Sequence, residues 1–211
     1  MNKPTEITTL IEKHLQTKQP LDNTKILVER RYPAFVKINP SYSEFEIKYS
    51  PINCWNAIAM NPQKAYEAEV PSLFNIGKIY GEANMSSWIN QQVTALFGSS
   101  NSRDVNIANS ISLFCDTFVA DAMNYKVTEI ALFFARYKAG RYDNSYSSFD
   151  TKRIGNAFRF EFLPERRREI DQYVHEREAK EREAEYERRT KNAISYEEYL
   201  KRKEQSQLPT S

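Results

Sequence analysis

Glycine, cysteine, histidine and tryptophan are all scarce in this 211-residue sequence, with 5, 2, 2 and 2 copies. The glycines, at 77, 81, 98, 140 and 155, spell neither GxxxxGK(S/T) nor GxGxxG. A phosphate-cradling loop and a dinucleotide fingerprint are therefore both missing. Gly77-Lys78 comes nearest, but it lacks the earlier glycine, and Ile79 stands where the metal-binding Ser or Thr belongs. His14 and His175 are far apart, and His175-Glu176 lacks the second histidine of a zinc helix. Cys54 and Cys115 have no CxxC partner and lie among apolar residues. They read as two buried thiols of a reducing, cytoplasmic compartment. There is no GxSxG elbow and no HExxH. No apolar run is long enough to span a membrane, and the mean hydropathy is −0.69. The first fifteen residues space their apolar side chains and read as a short helix, not a secretory signal. These absences describe a non-enzymatic protein with no cofactor, no metal and no membrane partner.

What is plentiful is aromatic: 12 Phe and 13 Tyr, enough for a core without staples. Residues 5–16 and 22–31 read as helices, capped by Thr5 and by Asp22 or Asn23. Five prolines then punctuate 33–71, where an extended arm, or a short strand over SEFEIKY (43–49), is expected. Helical periodicity is strong from residue 72. Leu73, Ile76 and Tyr80 share one face, as do Trp88, Ile89, Val93 and Leu96 in a helix starting near a Ser cap and ending at Gly98. Ile107, Ile111, Phe114, Cys115 and Phe118 stripe the next helix. Another follows from Thr128, with Gly140 as its stop and Arg136 and Lys138 in its last turn. Asp150 is placed to cap a helix that buries Ile154, Ala157, Phe158 and Phe162. Residues 165–191 hold nine basic and nine acidic side chains without a sustained heptad, which reads as a solvated helix projecting from the core and laced by i,i+4 pairs. Ser195 can cap a last short helix.

Charge is uneven along the chain. Residues 136–168 carry nine basic and four acidic side chains, net +5, while 51–135 carry four and seven, net −3. The basic window also holds seven aromatics. Cations follow a phosphate backbone and exposed aromatics stack on bases, so this is the candidate nucleic-acid or partner surface.

The same stretch, Thr128-Glu129-Ile130, Phe134, Lys138-x-Gly140-x-Tyr142, Tyr146, Phe149-Asp150, Ile154, Phe162 and Glu165-Arg166, carries a resemblance. It resembles small helical proteins of phages, plasmids and conjugative elements of Bacteroidetes-type bacteria. More weakly, the chain is similar to helicase-loader and replisome-organiser proteins of phages that are not ATPases. It departs from the pattern at Asp143, where glycine is usual, and at Phe162, where tyrosine is usual.

The fold expected is all-α. An N-terminal helical and extended arm (1–71) would precede a core bundle of about five helices (72–163), followed by a charged C-terminal helix and tail (164–211). The resemblance implies a DNA-replication accessory, an adaptor that touches a replicative helicase or other replisome protein, single-stranded DNA, or both. The alternative is a structural or regulatory protein acting by protein contact only. The expected contact residues are Arg136, Lys138, Arg141, Tyr142, Tyr146, Lys152, Arg153 and Arg159, with Tyr142 and Tyr146 as stacking groups.

Overall fold

A computed structural model describes residues 23–97, 105–142, 150–192 and 195–206. The helix expected over 5–16, the stop at Gly98, and Tyr146 lie outside the described residues. The described residues are helical, with one isolated antiparallel bridge between Ser72 and Lys126. In chain order the helices are α1 (Asn23–Arg31), α2 (Pro33–Ile38), α3 (Tyr42–Lys48), α4 (Pro51–Met60), α5 (Pro62–Glu67) and α6 (Leu73–Tyr80). Then come α7 (Ala83–Phe97), α8 (Val105–Ala122), α9 (Val127–Lys138) and α10 (Thr151–Asn156). A π-helical turn (Ala157–Phe162) leads into α11 (Leu163–Asn192), and α12 (Tyr196–Ser206) follows. The all-α expectation holds, but the helices outnumber the about five foreseen. Among the described residues none is long and apolar enough to cross a membrane.

The excess comes from the proline-rich stretch, which is helical instead of extended. Three of the five prolines occupy the first helical position, where the missing N–H would be unsatisfied anyway. Pro33, Pro51 and Pro62 thus open α2, α4 and α5. The expected strand over 43–49 is α3. Ser41 caps it by accepting from the Glu44 backbone N–H, and Glu44 accepts from the Ser41 N–H at 3.0 Å. That capping box outweighs the short apolar alternation of Phe45, Ile47 and Tyr49.

The chain divides into two compact units, Met1–Glu165 and Arg166–Ser211. In the first, the described part of the expected arm is packed onto the remainder. Here α1 lies against α6, while α4 and α5 lie against α9. At the centre is α9, buried from Val127 through Tyr137. A helix hidden all round must satisfy its polar groups internally. The Lys126 ammonium donates to the Tyr66 and Ala68 carbonyls at 2.6 and 2.8 Å, and the Thr128 hydroxyl donates to Ala65 O at 2.7 Å. Together they satisfy the carbonyls at the end of α5. Thr128 was expected to begin the helix, but Val127 does so, and the hydroxyl serves α5 instead. On the other side α9 offers Phe133, whose ring lies within 6.1 Å of those of Phe118, Phe134, Tyr137, Tyr142, Phe158 and Phe162. Full burial of one such ring is worth about 1.5–3 kcal/mol.

Gly77 does not open a phosphate loop. It is buried within α6, where a Cβ would meet Met85 Sδ at 2.6 Å. Lys78 pairs with Glu82 at 2.8 Å.

The second unit contains most of α11. Here the exposed Glu178–Arg182 and Glu185–Arg189 pairs occur at the expected i,i+4 spacing. Ser195 caps α12, accepting from the Glu198 N–H at 3.2 Å. Exposed pairs of this kind are worth only a few tenths of a kcal/mol each. The core of the first unit therefore owes nothing to them. A chain ending at Val174 is expected to keep a cooperative thermal transition by circular dichroism, while a non-cooperative or molten product would show that the charged helix is part of that core.

Candidate functional site

The candidate surface begins where α9 stops. Gly140 has φ of 77°, a left-handed conformation that glycine adopts without steric cost. Its N–H bonds to Tyr137 O at 3.1 Å, and the Arg141 N–H bonds to Arg136 O at 3.1 Å. This paired reverse bonding closes the helix and reverses the chain. It fixes Arg136, Arg141 and Tyr142 close together in space.

Their common partner is Glu165. Oε2 of its carboxylate accepts from Arg136 Nη1 at 3.2 Å and from the Tyr142 hydroxyl at 2.8 Å, and Oε1 pairs with Arg141. Arg136 also donates to the Tyr66 hydroxyl at 3.4 Å. Arg136 is 5% exposed and Tyr142 3%. A buried guanidinium is tolerated only when paired and hydrogen-bonded, and Glu165 provides that.

The π turn delivers Glu165. Asp150 caps α10 by accepting from the Lys152 and Arg153 N–H groups, as its position foretold. The chain then widens, and the Leu163 N–H reaches Phe158 O, five residues back. Pro164 follows, which has no N–H and in a regular α-helix would crowd the carbonyl four residues before it. A π turn at that point offers a route past the proline without a break. Phe158 and Phe162 are buried against Phe133, and Glu165 arrives one turn later at the end of α9.

Most of the expected contact residues are thereby placed inside the protein or tied to it. Arg136 and Tyr142 are buried, which corrects the expectation that Tyr142 is a surface stacking group. Its ring lies 5.9 Å from that of Phe133. Lys138 donates to Leu96 O at 2.6 Å, capping the end of α7. Arg159 pairs with Asp121 of α8, its Nε at 2.9 Å from the carboxylate. Arg141 is half exposed but bound to Glu165. Lys152 is exposed, and Arg153 stands at 4.0 Å from Asp150 with part of its side chain in solvent. Phe160, which sequence reasoning left unassigned, is 72% exposed. Lys152, Asn156 and Phe160 recur every four residues on the outward side of this segment. The signal that finds Phe160 is its phase: it falls between Phe158 and Phe162, opposite the buried stripe.

The two cysteines are free and buried. Burial pushes the Cys54 and Cys115 thiols up to about 12, and a protonated thiol is inert.

Burial, and then the adjacent Glu165 carboxylate, hold the Tyr142 phenol well above its ordinary value of 10.0. The raised direction fixes a sign. The unfolded chain ionises this phenol near pH 10 and the folded chain does not, so its contribution is full below pH 10 and is lost as pH rises further. Tyr142→Phe removes that loss. Its urea midpoint is expected to fall less steeply than that of the native chain between pH 10 and 11.5. Equal slopes would contradict the assignment. Tyr49 and Tyr80, both pushed up to about 12 mainly by burial, give a shared background in both proteins.

No curated protein and no solved structure matches the chain. Residues 109–207, which take in α9, the π turn, Glu165 and α11, are similar to a family whose description is a family of unknown function (DUF6633).

Proposed function

We propose that this chain is a non-enzymatic adaptor that works by protein contact. Its setting is the DNA replication of a phage or mobile element, with a replicative helicase or another replisome protein as partner. The observation that carries this reading is how the first unit uses its cations. Arg136, Lys138, Arg141 and Arg159 each hold an intramolecular partner. Within the first unit, Lys152 and Arg153, the latter 4.0 Å from Asp150, stand exposed on the segment that carries Phe160. Two cations beside one aromatic ring suit an acidic, partly apolar protein patch, since Arg and aromatic residues are enriched where partners meet. Within the first unit, two such cations are few for following a phosphate backbone.

A second reading keeps single-stranded DNA as a ligand. It is favoured by the exposed ring of Phe160 on the same outward stripe as Lys152, an arrangement able to stack a base beside a phosphate. Salt dependence separates the two. With two cations engaged, log K for single strands would fall with log[salt] at a slope of about −1.4.

The adaptor reading predicts that purified helicase of the native host binds the chain. The variant Lys152→Glu/Arg153→Glu/Phe160→Ala should bind it at least tenfold more weakly with an unchanged thermal midpoint. Absence of helicase binding, together with DNA binding of slope steeper than about −2, would favour the nucleic-acid reading and a larger cationic surface.

A further inference from the structure

Away from the basic window, the first unit has an open cleft of about 680 Å³ between the start of α4, α7 and α8. Its size is that of a ligand site, and its chemistry is one-sided. Among the described residues Glu46 is the charged side chain in its wall, and no Lys, Arg or His of theirs lines it. The Tyr42 hydroxyl donates to Glu46 Oε1 at 3.3 Å, and among the described residues Glu46 has no cation partner. Nucleotides, phosphates and acidic peptides are disfavoured by that carboxylate.

Two neighbouring glutamines show where the wall is complete and where it is not. Gln92 is fully used: its amide donates to Tyr49 O at 3.0 Å, and its oxygen accepts from Trp55 Nε1 at 2.6 Å. Gln91 lines the cleft, and its Oε1 is buried without a hydrogen-bond partner among the described residues. Pro51 and Ile52 form an apolar edge, and Ile52 is 93% exposed. The Cys115 thiol also lines the cleft, and burial pushes it up to about 12.

We propose that this cleft is the docking site for a peptide segment of a partner protein that presents a lysine beside an apolar side chain. The lysine ammonium pairs with Glu46, and the apolar neighbour covers Ile52. This deepens the adaptor reading and rests on it by giving the adaptor a second contact, distinct from the Lys152 surface. Charge complementarity is what selects the occupant. Among the described residues the wall's charge is the Glu46 carboxylate and the segment is basic, opposite in sign to the partner patch expected at Lys152.

The test uses the full chain and three capped tripeptides: N-acetyl-Leu-Lys-Leu-amide, its norleucine analogue and its glutamate analogue. Binding is followed by NMR shifts of the Gln91 side-chain amide and the Ile52 methyls. The lysine peptide is expected to bind at least fivefold more tightly than the norleucine peptide and at least tenfold more tightly than the glutamate peptide. Glu46→Gln, an exchange of nearly equal shape, should erase the lysine preference, and Ile52→Ser should weaken the lysine and norleucine peptides alike. Equal binding of all three peptides, shifts elsewhere than the cleft, or no shift at 20 mM peptide would overturn the proposal. Helicase binding that survives such a failure would leave the adaptor reading standing without this site.

Discussion

One carboxylate organises the end of the central helix. Glu165 receives Arg136, Arg141 and Tyr142, so a buried guanidinium, a chain reversal and the start of the long helix depend on the same two oxygens. Removing one member of a buried ion pair typically costs about 3–5 kcal/mol, because the other charge is left in low dielectric. The surface pairs of α11 are different in kind, exposed and individually weak.

The network and the aromatic core support one another through geometry. Tyr142 stacks on Phe133 and also donates to Glu165. Phe162 meets Phe133 and lies three residues before Glu165. A shift of the π turn would move the ring and the carboxylate together. The turn therefore couples apolar packing to charge pairing, and Pro164 falls where a regular helix would tolerate it poorly.

Much of this was legible in the sequence. The stripes of Trp88 to Leu96 and Ile111 to Phe118, the stop at Gly140 and the cap at Asp150 all follow from spacing and turn chemistry, and they occur as read. The stretch from 33 to 71 did not declare itself, because frequent proline signals either extension or repeated helix starts. Local caps such as Ser41 with Glu44, and long-range contacts such as Trp88 Nε1 to Tyr49 O at 3.1 Å, decide between them. The basic window was legible as charge but not as surface. Net charge does not tell which cations face solvent. Arg136 is buried because α9 is central, and its partner Glu165 is 29 residues away. The cleft was not legible at all, since Glu46, Gln91 and Ile52 come from three helices with no shared motif.

The central claim is that Arg136 and Glu165 act as one unit. A double-mutant cycle with Arg136→Met and Glu165→Leu, read by urea unfolding at pH 7, tests it most directly. Each single variant is expected to lose about 3–5 kcal/mol. The double variant should lose much less than their sum, giving a coupling energy of about 2 kcal/mol or more. Losses that add to within about 0.5 kcal/mol would mean that the two residues do not depend on each other, and the account built on Glu165 would be wrong.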